Sequence, residues 1–121
     1  MATDKTTIGV TAKGQQVLER LQERKVFADQ MDAAKLALSL AISKGIRPSD
    51  TPAVDTKWNV GSFDRDGTVR TVVSVLFPDA SEPYRAVESL VNAGLDLMDR
   101  ELGSGGDIEI LKLLPKPTSK A

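Results

Sequence analysis

The sequence contains no cysteine and no histidine. The first absence excludes a disulfide framework, thiol catalysis and thiolate metal sites, and it is compatible with a reducing compartment. The second removes the commonest metal ligand and the commonest general base. Aromatic side chains are scarce: Phe27, Trp58, Phe63, Phe77 and Tyr84 are the whole set, so a core must be built mostly from Leu, Val, Ile and Ala. No stretch approaches the roughly 20 apolar residues that span a bilayer. The polar opening Met1–Thr7 lacks the apolar run of a secretory leader. A cytoplasmic protein without membrane contact is the expectation.

What is present fits one domain: 121 residues, 40% of them hydrophobic, enough to bury roughly two-thirds of the unfolded chain's surface. The net charge of −1 argues, taken alone, against a strong polyanion binder. The charge is unevenly spread, with residues 1–50 carrying a small basic excess and residues 51–114 an acidic one.

Thr6-Thr7-Ile8-Gly9-Val10-Thr11 alternates with the period of a half-buried strand. Thr11 is placed to cap a helix from about Ala12 to Lys25, with Val17, Leu18 and Leu21 as its apolar stripe. Asp29 is placed to cap a second helix, Met31–Ile42. Its apolar residues cover more than half the circumference, so it must be buried on more than one side. Gly45, Ile46 and Pro48 end it. Residues 48–57 read as a polar linker. Trp58–Phe63 alternates again, and Asp64-Arg65-Asp66-Gly67 reads as a turn.

Thr68–Phe77 is rich in Val and Thr, which favours a strand and leaves a small β-hairpin near 58–77 as one reading. Val69, Val72, Val73 and Leu76 nevertheless fall at helical spacing, Asp66 can cap them and Pro78 ends them, so a helix is preferred. A long helix opens at Ser81-Glu82-Pro83 and carries Tyr84, Val87, Val91, Leu95, Met98 and Leu102 in steps of three and four to Gly103. Ile108–Leu114 reads as a short apolar element, and 115–121 as a disordered tail.

Catalytic motifs are absent: no phosphate-binding loop, no dinucleotide fingerprint and no nucleophile elbow. Asp64-Arg65-Asp66-Gly67 begins like a calcium loop, but Val75 stands where the closing acidic ligand belongs. The two aspartates therefore read as turn and cap residues. Asp96, Asp99 and Glu101 read as a solvated helix face. A non-enzymatic chain without cofactor or metal is expected.

A short alternating strand followed by two helices, the second very apolar, resembles the ribbon-helix-helix unit. A wider layout, with Ala34-Lys35-Leu36-Ala37-Leu38-Ser39-Leu40 on the second helix and Ala93-Gly94-Leu95 near the end, resembles the DndE family, small DNA-binding subunits of bacterial DNA phosphorothioation systems. The resemblance implies a mainly α fold with a short N-terminal strand in residues 1–47 and a C-terminal helical extension in 58–114. It implies DNA as a partner and self-association in which strands pair between copies.

On that reading Ile8, Val10, Leu36, Leu38, Leu40 and Ile42 form the oligomer interface. Lys5, Thr7, Gly9, Lys13, Arg20, Arg24 and Lys35 then face DNA, chiefly its phosphates. Two features weigh against base reading. Asp29 and Asp32 place negative charge where a phosphate would sit at the second helix's start, and the strand offers Lys5 as its one base. The alternative is a protein-interaction subunit that needs no nucleic acid. Its features are the acidic second half and the surplus apolar helix surface.

Overall fold

The computed structural model describes residues 4–51 and 53–103. Along them run β1 (Thr7–Val10), α1 (Ala12–Glu23), α2 (Gln30–Ser43), β2 (Asp55–Asn59), α3 (Val60–Phe63), α4 (Thr68–Leu76) and α5 (Pro83–Gly103). The protein is mainly helical with one short two-stranded antiparallel sheet. The apolar element expected at Ile108–Leu114 and the tail expected at 115–121 lie outside the described residues.

The helices start and stop where their capping chemistry dictates. The Thr11 hydroxyl accepts from Gly14 N at 2.9 Å and opens α1, and the Asp29 carboxylate accepts from Met31 N at 2.8 Å and opens α2. At the end of α2, Gly45 takes a φ of 78° and Ile46 N donates back to Ala41 O, the fold-back that satisfies the last carbonyls. α1 closes in the same way, but with Lys25 in the left-handed position.

α5 is the element on which the others pack: α2, α1, β1 and α4 all lie against it. Val87, Val91, Leu95 and Met98 are fully buried, as their spacing requires. The opposite side is buried as well, since Ala86, Glu88, Ser89 and Leu90 are covered at the level where β1 and α2 converge. α2 is buried along Ala33, Ala34, Ala37, Leu38, Leu40 and Ala41. It approaches α5 so closely that a Cβ on Gly94 would lie 1.9 Å from the Ala37 carbonyl oxygen. Only a residue without a side chain permits that crossing.

β1 pairs within its own chain. Its partner is β2, with Thr7 opposite Asn59, Ile8 opposite Trp58, Gly9 opposite Thr56 and Val10 opposite Asp55; Lys57 is skipped at a bulge. This corrects the expectation that the strand must find its partner in a second copy. It also moves ordered structure into the stretch read as a linker, because β2 begins at Asp55. The alternating pattern of Trp58–Phe63 is broken at Val60, where a helical turn starts, and β2 does not form a hairpin with 68–77. That segment is α4, the helix its valine spacing favours.

The burial demanded by Ile8, Val10, Leu38 and Leu40 is likewise met inside the chain. All four belong to one core cluster with Val17, Leu18, Leu21, Phe63, Val73 and the α5 stripe, and Leu36 and Ile42 pack against its margin. For Ile8, Val10, Leu38 and Leu40 the assignment to an oligomer interface therefore gives way to an intramolecular role, whereas Leu36 and Ile42 stay partly exposed.

Gly94→Ala should destabilise the fold by about 2–4 kcal/mol, because the α2 backbone has to move away. An alanine inside an unobstructed helix would instead gain about 1 kcal/mol. Denaturant unfolding of this variant beside Gly61→Ala, in the one-turn helix α3 where its Cβ would meet nothing within 4 Å, checks the sign: the first should be destabilised and the second unchanged or stabilised by up to about 1 kcal/mol.

Candidate functional site

The outer edge of β1 is where a ribbon-helix-helix protein would join its partner strand. Here it is occupied by two side chains one turn apart on α5. Gly9 N donates to Glu88 Oε2 at 2.8 Å, Asn92 Nδ2 donates to Gly9 O at 3.1 Å, and Thr11 N donates to Asn92 Oδ1 at 2.9 Å. The Asn92 amide thus does what a neighbouring strand would do, offering one donor and one acceptor in register with the backbone. Gly9 is buried, and a Cβ there would lie 2.8 Å from Asp55 O and from Val54 Cγ2. It serves close backbone packing and does not face a ligand.

The cations assigned to DNA are distributed differently from the expectation. Lys5 Nζ is bound to buried Glu88, at 2.9 Å from Oε1 and 2.7 Å from Oε2. Lys13 Nζ lies 2.6 Å from Asp96 Oδ1 and 3.3 Å from Asp99 Oδ2, and Arg20 pairs with Asp99. Asp96 and Asp99, read from sequence as a solvated face, are therefore the counter-ions of α1. The Lys35 ammonium stands 5.6 Å from the Phe63 ring centroid. Thr7 is half-buried at the start of β1, and Arg24 caps the end of α1. The structure brings Lys13 and Arg20 together, but around an acidic pair and not as an open basic stripe.

These pairings move the titration of their members. The Asp99 carboxyl is held below its ordinary value first by the hydrogen bond from Arg20 and then by that from Lys13. Lys13 is raised by its bonds to Asp96 and Asp99. Tyr84 is raised, first by burial and then by donating its hydroxyl to Asp64 at 2.9 Å.

Asp64 belongs to the frame of the fold. Its carboxylate accepts from Val69 N, Arg70 N and the Tyr84 hydroxyl, fixing the start of α4 to the first turn of α5. Asp66, the cap expected from sequence, accepts from Thr68 N at 3.1 Å. Asp4 does the same for α5 from the far end of the chain, accepting from Tyr84 N and Arg85 N. Sequence reading placed Asp64 as a turn and cap residue, though not its bond to Tyr84, and it missed Asp4, Glu88 and Asn92, since each of these acts on a backbone about 80 residues away in the chain.

Of the clefts bordering these elements, two flank α4. One, of about 580 Å³, is lined by Met31, Lys35, Phe63, Asp64, Asp66 and Val69; its two carboxylates are the ones engaged at the start of α4. The other, of about 330 Å³, lies between Arg47, Asp50, Phe77, Asp79, Glu82 and Arg85, with Arg85 paired to Glu82. Among the described residues no group of three or more acidic side chains converges as a metal site. No helix among them is long and apolar enough to cross a membrane.

No protein-family model, curated protein or solved structure matches this chain. The most distinctive surface is then the outer face of α4. Four large hydrophobic residues are exposed among the described residues, and three of them are Val72 (44%), Val75 (72%) and Leu76 (47%). They stand three and four residues apart and so form one patch. Val73 is buried on the inner side and Val69 packs beside it. The apolar arc of α4 is wider than the core uses.

Asp99→Asn should lower stability at neutral pH. Because the folded pKa is depressed, the contribution exists above the unfolded carboxylate range near ~3.9 and disappears as pH falls through the lower folded value. Thermal unfolding of the parent and variant should therefore differ at pH 7 and converge as the pH falls through the depressed folded value, with added salt narrowing the neutral-pH gap.

Proposed function

We propose that this chain is a non-catalytic cytoplasmic binding subunit that docks another polypeptide on the outer face of α4. The observation that carries this reading is the exposed row Val72, Val75 and Leu76. Scattered single hydrophobics are normal on a protein surface, but neighbouring ones on a single helix face favour helix-to-groove or helix-to-helix recognition. The flanking residues on that side, Thr68 and Thr71, are uncharged, so a partner can cover the patch without desolvating an ion.

The DNA-binding reading has less support. It needs Lys5, Lys13 and Arg20 free to displace counter-ions from phosphates, whereas each of them lies against a carboxylate of α5. Freeing them would expose Glu88, Asp96 and Asp99 to the polyanion as well. The resemblance to the DndE family rests on the helical layout, and the intermolecular ribbon that would carry DNA recognition meets a β1 edge closed by Glu88 and Asn92.

A photo-crosslinking residue placed at position 75 should trap a discrete polypeptide in the producing cell. A second probe at exposed Lys44 should not, and Val72→Glu should suppress the adduct at 75. Indistinguishable adducts from both positions, or none, would overturn the docking reading. Fluorescence anisotropy with a random duplex at physiological salt should show no binding; tight, steeply salt-dependent binding would restore DNA as the ligand.

A further inference from the structure

We infer that the clefts bordering Thr51 form a binding site for a small uncharged molecule with vicinal hydroxyl groups, of the polyol or monosaccharide class. No residue of α4 lines them, so this site does not depend on the docking reading above.

A buried hydroxyl without a partner points to it. Thr51 Oγ1 is shielded from solvent and makes no hydrogen bond, alone in this among the buried side-chain polar atoms of the described residues. Such a group is costly to keep unless something bonds to it. Thr51 lies on the connection between α2 and β2. Two residues earlier, Ser49 N donates to buried Ser89 Oγ at 2.9 Å and fixes that connection on α5.

Thr51 and Asp50 line both clefts. One, of about 340 Å³, is bounded by Lys5, Arg85 and Glu88; the other, of about 380 Å³, by Thr11, Lys13, Ser89 and Asp96. Volumes of this order suit a small ligand. The charges in the walls are largely spent on one another. Lys5 is bound to Glu88, Lys13 to Asp96 and Arg85 to Glu82, which leaves no unpaired cation for a phosphate or carboxylate ligand. No aromatic ring lines either cleft, so a nucleobase has no stacking platform. An ammonium ligand would meet Asp50 but lie among Lys5, Lys13 and Arg85.

The uncommitted groups are hydroxyls and one carboxylate. Asp50 is exposed and has no ion-pair partner among the described residues. Ser89 and Thr11 each accept one backbone N–H and keep an O–H to donate, while Thr51 can donate and accept. Vicinal hydroxyls answer that set. Their O–H groups donate to the carboxylate, as ribose hydroxyls do to an acidic residue, and their oxygens accept from the threonine and serine hydroxyls.

The full chain can be titrated with meso-erythritol, D-ribose and D-glucose, with inorganic phosphate and ethylammonium as charged comparators, while backbone amide resonances are followed. At least one of the three polyols should shift Asp50, Thr51 and Ser89 saturably, and neither comparator should. Thr51→Val keeps the shape and removes the hydroxyl. It should raise the thermal midpoint of the free protein and weaken polyol binding about tenfold or more. Asp50→Asn should weaken binding as strongly and leave the midpoint unchanged. No saturable shift from any polyol would overturn the inference, as would polyol binding undiminished in Thr51→Val. A lowered midpoint in Thr51→Val would overturn it too, because the hydroxyl would then be satisfied in the free protein. Saturation of the same amides by phosphate or ethylammonium would replace hydroxyl recognition with charge recognition and equally sink it.

Discussion

A strand with an open edge has to be completed, and the way this chain completes β1 sets most of its architecture. β2 takes one edge. Glu88 and Asn92 of α5 take the other, supplying a carboxylate and an amide where a third strand would supply backbone. A hydrogen bond to a charged group contributes about 1.5–3 kcal/mol, and here it also fixes position. Because the two side chains sit one turn apart, they lock the sheet against α5 at one height. Lys5 then neutralises Glu88, so the buried carboxylate is both paired and hydrogen-bonded, as a charge away from water must be.

From that latch the rest follows in layers. α1 leaves β1 beside Asn92 and runs along α5, which brings Lys13 and Arg20 onto Asp96 and Asp99. α2 returns across α5 at the one position, Gly94, where two backbones can come that close. Asp64 and Asp4 tie the remaining elements to the first turn of α5. The polar side of α5 is thus as structural as its apolar stripe. The same arrangement gives Lys5, Lys13 and Arg20 carboxylate partners inside the molecule, leaving the uncharged, aliphatic face of α4 as its most distinctive outward feature.

What was legible in the sequence was local. Thr11, Asp29 and Gly45 act within four residues of themselves, and the limits of α1 and α2 follow from them; the spacing of Val87, Val91, Leu95 and Met98 is enough to define α5. What was not legible was pairing across distance. β2 is Asp-Thr-Lys-Trp-Asn, with one apolar residue, and gives no alternating signal of its own; only β1 makes it a strand. Glu88 and Asn92 look like ordinary polar positions of an amphipathic helix until β1 is laid beside them. The valines of α4 reveal a helix by their spacing, but periodicity cannot say that Val73 turns inward while Val72 and Val75 turn out.

The resemblance to ribbon-helix-helix proteins has the same origin. Strand, helix and apolar helix do occur in that order, and the order alone does not specify whether the strand's partner lies in the same chain. The state of the Gly9 and Thr11 amides distinguishes the two cases most directly. Residue-resolved hydrogen exchange on the full chain, at several protein concentrations, should find both amides protected to the same degree throughout, because their acceptors are Glu88 and Asn92 of the same molecule. Rapid exchange at low concentration, slowing as concentration rises, would mean that a second copy completes the strand and would contradict an intramolecular latch.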